Sequence, residues 1–149
     1  MIINTKEISS RIKLGSMLFT LVYVALLVAS LVFKWSPKYI YEYVSSAIFV
    51  LVVVYIFIRN YNYIYYNSDG LKYILRYTPL RPLSAGNFSV EIPKRDFVKG
   101  EIKSSYFGLR PELVLYVRTP QGVAKFNPIS ISVMNKTQID LIKDDLSIK

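Results

Sequence analysis

The sequence contains no cysteine and no histidine. The first absence excludes disulfide bonds, thiolate metal ligands and cysteine nucleophiles, but it does not indicate a redox compartment. The second removes the commonest general base and the commonest metal ligand of proteins. Glycine is also scarce, with six residues, and none of them lies in a phosphate-binding loop pattern. We therefore expect no enzyme activity, no cofactor and no metal site.

Acidic residues are few relative to basic ones. The chain carries 19 lysine and arginine residues against 10 aspartate and glutamate residues, so its net charge is +9. A surplus of this size favours anionic partners: phospholipid headgroups, nucleotides, nucleic acid or an acidic protein surface. Nothing in the sequence selects the exposed aromatics in a basic groove that single-stranded nucleic acid requires. Nucleic acid is therefore not an expected partner.

Charge is almost absent from two runs of apolar residues. The first covers residues 14–33 without a charge, and the second covers residues 39–58 with one charge, Glu42, near its outer end. A helix of 20 residues is about 30 Å long, which matches the hydrocarbon core of a bilayer. We predict that both runs are transmembrane helices. The alternatives are a soluble helical hairpin and, for the first run, a signal peptide, for which the apolar stretch is too long.

A short connection with Pro37 separates the two runs and predicts an antiparallel hairpin. Lys6, Arg11 and Lys13 precede the first run, and Arg59 follows the second at the start of a basic tail. By the positive-inside rule, both termini are cytoplasmic. We therefore predict a multi-pass protein of the bacterial inner membrane.

Aromatic residues cluster at both ends of the second run. Trp35 and Tyr39 lie near its start, and Tyr61 and Tyr63 follow its end. At headgroup depth such side chains bury the ring while the polar atom stays hydrated, so we predict that these four residues are interface anchors. The alternation of tyrosine with other residues over 60–65 is also strand periodicity. The same stretch is therefore predicted to begin the first strand.

The apolar period changes to two after residue 60. The turn signal SDG ends at Gly70, and later stretches alternate in the same way, with Val98, Ile102 and Tyr106 predicted to face inward. Near the end, Asn135 and Gln138 have the spacing of a capping box before a helical apolar pattern. The predicted fold class is thus a membrane α-helical hairpin plus a mainly-β domain of about seven strands, a small barrel or sandwich capped by a C-terminal helix.

This order of elements resembles the bacterial pleckstrin-homology-like domains of small membrane proteins with a two-helix anchor. The resemblance rests on the hairpin YYNSDGLKYIL, the strand pair VEIPKRDFVKGEIKSS, a glycine-containing turn before the last strand and the terminal helix. It implies an N-terminal segment and hairpin over 1–59 and a cytoplasmic β domain over 60–149. Members of the family are mostly non-enzymatic binding or scaffolding modules, and no ligand residues can be transferred from them.

Basic side chains close to an anionic leaflet each add about 1 kcal/mol of attraction. Because the link from Arg59 to the first strand is short, the whole β domain is expected to lie near the membrane. The predicted contacts with anionic lipid or a partner are Arg76, Arg81, Lys94, Arg95, Lys99, Lys103 and Arg110.

These observations favour a non-catalytic accessory or scaffold subunit of a larger membrane protein complex, with membrane lipids and other membrane proteins as partners. Two alternatives remain open from the sequence. One is a ligand-gated membrane effector whose soluble domain binds an anionic signal such as a cyclic nucleotide. The other is a sensor that binds anionic lipid headgroups.

Overall fold

Two long helices and a mainly-β region make up the computed structural model, which describes residues 1–34, 37–81 and 86–148. The helices are α1 (Lys6–Phe33), α2 (Ile40–Arg59) and α3 (Lys136–Asp145), with a short 3-10 turn at Pro37–Tyr39. The strands are β1 (Ile2–Asn4), β2 (Asn62–Asn67), β3 (Lys72–Pro79), β4 (Phe88–Pro93), β5 (Phe97–Ser105), β6 (Arg110–Thr119), β7 (Gly122–Lys125) and β8 (Ile129–Ser130).

Helices α1 and α2 pack as an antiparallel pair. The Tyr23 ring stacks on Phe49 with centroids 4.0 Å apart, and the Tyr23 hydroxyl lies 2.7 Å from Ser46 Oγ. Both helices are long and apolar enough to cross a membrane, and only 6% of the most apolar window of α1 and none of that of α2 is buried inside the chain. The prediction of two long apolar helices is confirmed. The prediction of a multi-pass protein goes further than the structure, which has a single pair of membrane-length helices in its described residues.

Helix α1 begins at Lys6, about two turns before the predicted apolar span. At 28 residues it is about 42 Å long, which exceeds the hydrocarbon thickness by roughly 12 Å. Ile8 and Ile12, in these additional turns, pack against the core of the β region. The helix is therefore continuous from the β region into its apolar segment.

The strands form two separate antiparallel sheets. One has the order β1-β2-β3-β4, and in the other β5, β6 and β7 are neighbours while β8 also pairs with β6. Of the predicted alternatives, the barrel is wrong, because no strand pairing joins these two sheets in the described parts of the chain. After β4 the chain turns at 93–96, and β5 pairs with β6 instead of continuing the first sheet. Strand β1, which precedes α1, adds an eighth strand to the predicted seven.

The core lies between the two sheets and α3. Buried side chains from the first sheet, the second sheet and the helix form one cluster that includes Ile64, Tyr66, Leu75, Leu113, Leu115, Ile129, Ile142 and Leu146. The predicted capping box of α3 is confirmed, since Asn135 Oδ1 accepts from Gln138 N at 2.8 Å and Gln138 Oε1 accepts from Asn135 N at 3.2 Å. The Tyr66 hydroxyl donates to Asp145. Burial and this bond raise the pKa of Tyr66 well above its usual range.

Two of the three predicted inward residues around β5 face outward. The pairing of β5 with β6 shifts register between Phe97 and Lys99, which reverses the alternation. Phe97 therefore packs against the core while Val98 is 40% exposed. Tyr106 is 54% exposed because it lies in the turn after β5 rather than in the strand. Ile102 packs against the core as predicted.

The strands give the β region two ends. Strand β2 starts beside the end of α2 at Asn62 and runs to Asn67, a length of about 20 Å. We call the end with Asn62, Pro79, Ser105, Arg110 and Ser130 the helix end. The opposite end, with Asn67, Lys72, Pro93 and Thr119, is called the far end.

Candidate membrane interface

Thr5 holds the start of α1 on the first sheet. Its side chain is 1% exposed, and its backbone N–H and hydroxyl donate to Ile64 O at 3.0 and 3.1 Å. The Ile64 N–H in turn donates to Thr5 Oγ1 at 2.8 Å. Beyond the end of β1, the Thr5 side chain therefore takes the place of a backbone hydrogen-bonding partner for β2.

Arg59 holds the end of α2 on the second sheet. Its carbonyl accepts from Ser130 Oγ at 3.0 Å, and its Nη1 donates to Leu109 O at 3.0 Å. Its guanidinium also lies 5.5 Å from the centre of the Tyr61 ring. The two helices thus enter the β region at the same end, α1 on the first sheet and α2 on the second. Residues before α1 and after α2 consequently lie on one side of the hairpin.

The turn between β5 and β6, residues 106–109, lies at the helix end and exposes apolar side chains. Phe107 is fully exposed, Tyr106 is 54% exposed and Leu109 is 38% exposed. Tyr106 and Phe107 have φ angles of 52° and 57°, a left-handed region that bulky residues rarely adopt.

Two of the predicted basic contact residues lie at the helix end. The Arg81 guanidinium lies 4.3 Å from the centre of the Phe57 ring, in the last turn of the apolar helix α2. Arg110 is only 17% exposed, and its Nε lies 2.7 Å from a Glu112 carboxylate oxygen. Arg81 is therefore held against the apolar helix, whereas the charge of Arg110 is largely balanced within the protein.

Lys99 and Lys103, on β5, share one carboxylate. Their ammonium groups lie 2.6 and 3.1 Å from Glu101, which also accepts from the Tyr116 hydroxyl at 3.1 Å. The hydrogen bond from Lys99, followed by that from Lys103, lowers the pKa of Glu101 to about 2. The same bonds raise the pKa of both lysines. This cluster offers an external anion less net charge than two free lysines would.

The Glu101 cluster gives an acid-range prediction. Because the pKa of Glu101 falls from 4.5 to about 2 on folding, its ionised form stabilises the fold above about pH 4.5, and this contribution disappears as the pH falls to about 2. The stability difference between the wild type and the Glu101→Gln variant should therefore be constant near neutral pH and shrink over that acid interval. Thermal unfolding followed by circular dichroism at a series of pH values measures it. A difference that grows as the pH falls would contradict this assignment.

Lys94 and Arg95 lie at the far end. Lys94 Nζ donates to Ser68 O at 2.7 Å, and Arg95, whose side chain is 86% exposed, lies 3.6 Å from Asp96. The length of β4, about 20 Å, separates them from the helix end and exceeds the Debye length of about 8 Å at physiological salt. They would add little attraction to a charged surface at the helix end.

Arg76 lies in the middle of the outer face of the first sheet. It pairs in register with Tyr65 on one side and Ser89 on the other, and among the described residues it forms no ion pair. An open groove of about 700 Å³ runs along this face. Its lining includes Asn4, Tyr63, Tyr65, Arg76, Thr78, Asn87, Ser89 and Glu91.

The predicted interface anchors occupy three different settings. Tyr61 is half-buried at the helix end, where its hydroxyl accepts from Arg59 Nε at 3.3 Å. Tyr63 is half-buried in the groove beside Arg76. Tyr39, at the opposite end of the hairpin, is 53% exposed. Trp35 lies outside the described residues.

Glu42, near the outer end of the second apolar run, is buried against α1 rather than extended into water. It is only 9% exposed, and Ser30 Oγ at the end of α1 donates to its carboxylate. The reason is its position on α2, which directs the side chain toward the last turn of α1. Within the described ranges, its Oε2 has no hydrogen-bond partner.

No known protein family, curated protein or solved structure matches this chain. The resemblance to pleckstrin-homology-like domains therefore stays a prediction. The arrangement of two antiparallel sheets with a C-terminal helix follows from the structure itself.

Sequence reasoning missed the contacts that join the helices to the β region. Thr5 precedes α1 and Ser130 lies in β8, and neither carries a motif that names its distant partner. The exposed turn had a signal, because Gly108 interrupts the apolar alternation between two strands. The apolar alternation that continues through Tyr106 predicts a strand at the same place and so masks this turn signal.

Proposed function

We propose that the chain is a protein of the bacterial inner membrane whose helices α1 and α2 cross the bilayer and hold the β region at its cytoplasmic face. It acts without catalysis, as an accessory or scaffold subunit of a larger membrane protein complex. The observation that carries this proposal is the exposure of α1 and α2, of whose most apolar windows 6% and 0% are buried within the chain. Side chains this apolar require lipid or another protein around them.

The attachment of the β region to the hairpin supports a scaffold. Thr5 joins α1 to the first sheet and Arg59 joins α2 to the second, so the β region is held at a set position beneath the hairpin. Two further surfaces are accessible to proteins. All four residues of β7 are exposed, and its free edge can accept a strand from a partner. The lipid-facing sides of α1 and α2 offer the other surface.

Purification of the full chain from gently solubilised bacterial membranes tests the accessory role. We expect one membrane protein to co-purify with it in a fixed molar ratio that is unchanged by high salt. A matched preparation in which residues 1–59 are kept and 60–149 are replaced by an unrelated soluble domain shows whether the β region is needed for that ratio. Recovery of the chain alone as a monomer would contradict the proposal.

One feature favours the ligand-gated alternative. The groove at Arg76 combines a guanidinium that forms no ion pair within the described ranges with two tyrosine rings, which together suit a phosphate beside a planar base. Titration of the full chain in detergent with cyclic mono- and dinucleotides, and with an Arg76→Gln variant as the matched control, tests it. Binding that this substitution weakens at least tenfold would support the effector role, and no binding at millimolar nucleotide would eliminate it.

A further inference from the structure

We propose that the β5–β6 turn, residues 106–109, is a third membrane contact and that its Phe107 ring inserts between the lipids of the leaflet from which α2 emerges. This inference rests on the proposed membrane location of α1 and α2. It adds a contact that fixes the orientation of the β region against the bilayer surface.

The turn is an apolar tip that no other part of the described chain covers. Phe107 is fully exposed, and Tyr106 and Leu109 on either side are 54% and 38% exposed. Three large apolar side chains are thus exposed within four residues of one hairpin tip, and clustered exposed apolar side chains mark contact sites. Phenylalanine, tyrosine and leucine together suit the boundary between headgroups and acyl chains.

A hydrogen bond places this tip at the depth where the hairpin leaves its apolar segment. Arg59, the last residue of α2, donates from Nη1 to Leu109 O at 3.0 Å. The turn therefore sits beside the exit of α2, and its side chains can reach lipid without moving the β region. Arg110, which follows the turn, packs its guanidinium 5.6 Å from the centre of the Tyr106 ring and so helps to hold this end of the turn in place.

The backbone conformation of the turn is unfavourable for the two aromatic residues that it carries. Tyr106 and Phe107 both have positive φ angles, of 52° and 57°. Asparagine or glycine adopts this conformation at lower cost, and these residues dominate tight hairpins in water. A turn exposed only to water would gain nothing from two aromatic residues in the left-handed region.

Among the described residues, two further hairpin tips that expose a large apolar side chain lie at the far end. Leu71, in the β2–β3 turn, is 89% exposed, and Val123 at the start of β7 is 61% exposed. A strand length separates both from the exit of α2. Leu71 is therefore the control position, since its side chain is also highly exposed at a hairpin tip but lies a strand length away from the exit of α2.

Single-tryptophan variants in lipid vesicles test the insertion. The chain has one tryptophan, so Trp35→Phe provides a silent background for Phe107→Trp, Leu71→Trp and Leu51→Trp, the last at the lipid-exposed middle of α2. Each full-length variant is reconstituted in vesicles of phosphatidylglycerol and phosphatidylethanolamine with acyl-chain-brominated lipid. We expect quenching of the Phe107→Trp variant at least threefold stronger than that of the Leu71→Trp variant, with a blue-shifted emission.

The three positions separate the possible failures. If the Leu51→Trp variant is not quenched, the helices are not in the bilayer and the proposed function fails with the inference. If it is quenched but Phe107→Trp behaves like Leu71→Trp, the hairpin is inserted and the third contact is overturned. The inference would also be overturned if the tryptophan at position 107 were protected from water in native membranes but not quenched in vesicles of pure lipid. That result would indicate a protein partner at this tip.

Discussion

The Ile142→Ala variant should lose about 2–5 kcal/mol of unfolding free energy in the β region. Ile142 is 0% exposed on α3 and belongs to the core cluster that both sheets share. Shortening it removes apolar contacts and leaves a cavity between the helix and the sheets. Urea unfolding of the full chain in detergent micelles, followed by tyrosine circular dichroism, measures the loss.

The neighbouring residue supplies the matched control. Leu141 is an isomer of isoleucine on the same helix, but it is 45% exposed, so Leu141→Ala should change stability by no more than about 0.5 kcal/mol. Equal losses in the two variants would show that α3 does not close the space between the sheets.

The Thr5→Val variant should lose about 1–3 kcal/mol. Valine keeps the shape of threonine but removes the oxygen that accepts from Ile64 N at 2.8 Å. Because Thr5 and Ile64 are both buried, this N–H would be left without a partner away from water. Hydrogen exchange should show faster opening of β2, and urea unfolding gives the magnitude.

The same substitution within α1 gives the comparison. Thr20 is exposed, and its hydroxyl donates only to the carbonyl of Ser16 at 2.9 Å, which is already the acceptor for its helix. Thr20→Val should therefore leave the stability of the β region unchanged. If Thr5→Val were equally neutral, the start of α1 would not be held on the first sheet as described.

The length of each run, with no more than one charge in it, made both apolar helices predictable. In a run of 20 residues, length outweighs the strand preference of valine and isoleucine. The first two turns of α1 were not predictable in the same way. They carry Lys6, Glu7, Arg11 and Lys13, and their helical state depends on Ile8 and Ile12 packing against strands more than 50 residues later.

Local alternation predicted most strands, but not how the sheets associate. Strands β2, β3 and β4 follow the period of two and pair with their sequence neighbours. Barrel closure depends on pairing between distant strands, for which alternation carries no information. Val98 faces outward because it lies in the register shift between Phe97 and Lys99, which the alternation of residue types does not reveal.

The predicted contact residues share a charge but not a location. Arg81 and Lys94 are both basic, and each follows the end of a strand, yet they lie at opposite ends of the β region. Which end a residue occupies follows from strand direction and from where the helices attach. The attachment depends on single hydrogen bonds, such as that of Arg59 to Leu109, that no local pattern encodes.

Alkaline carbonate extraction of membranes from a bacterium that expresses the full chain tests the central claim most directly. The treatment releases peripheral proteins and leaves proteins whose helices cross the bilayer. We expect the chain to remain entirely in the membrane pellet and to enter solution only with detergent. Recovery of the intact chain in the carbonate supernatant would contradict the account.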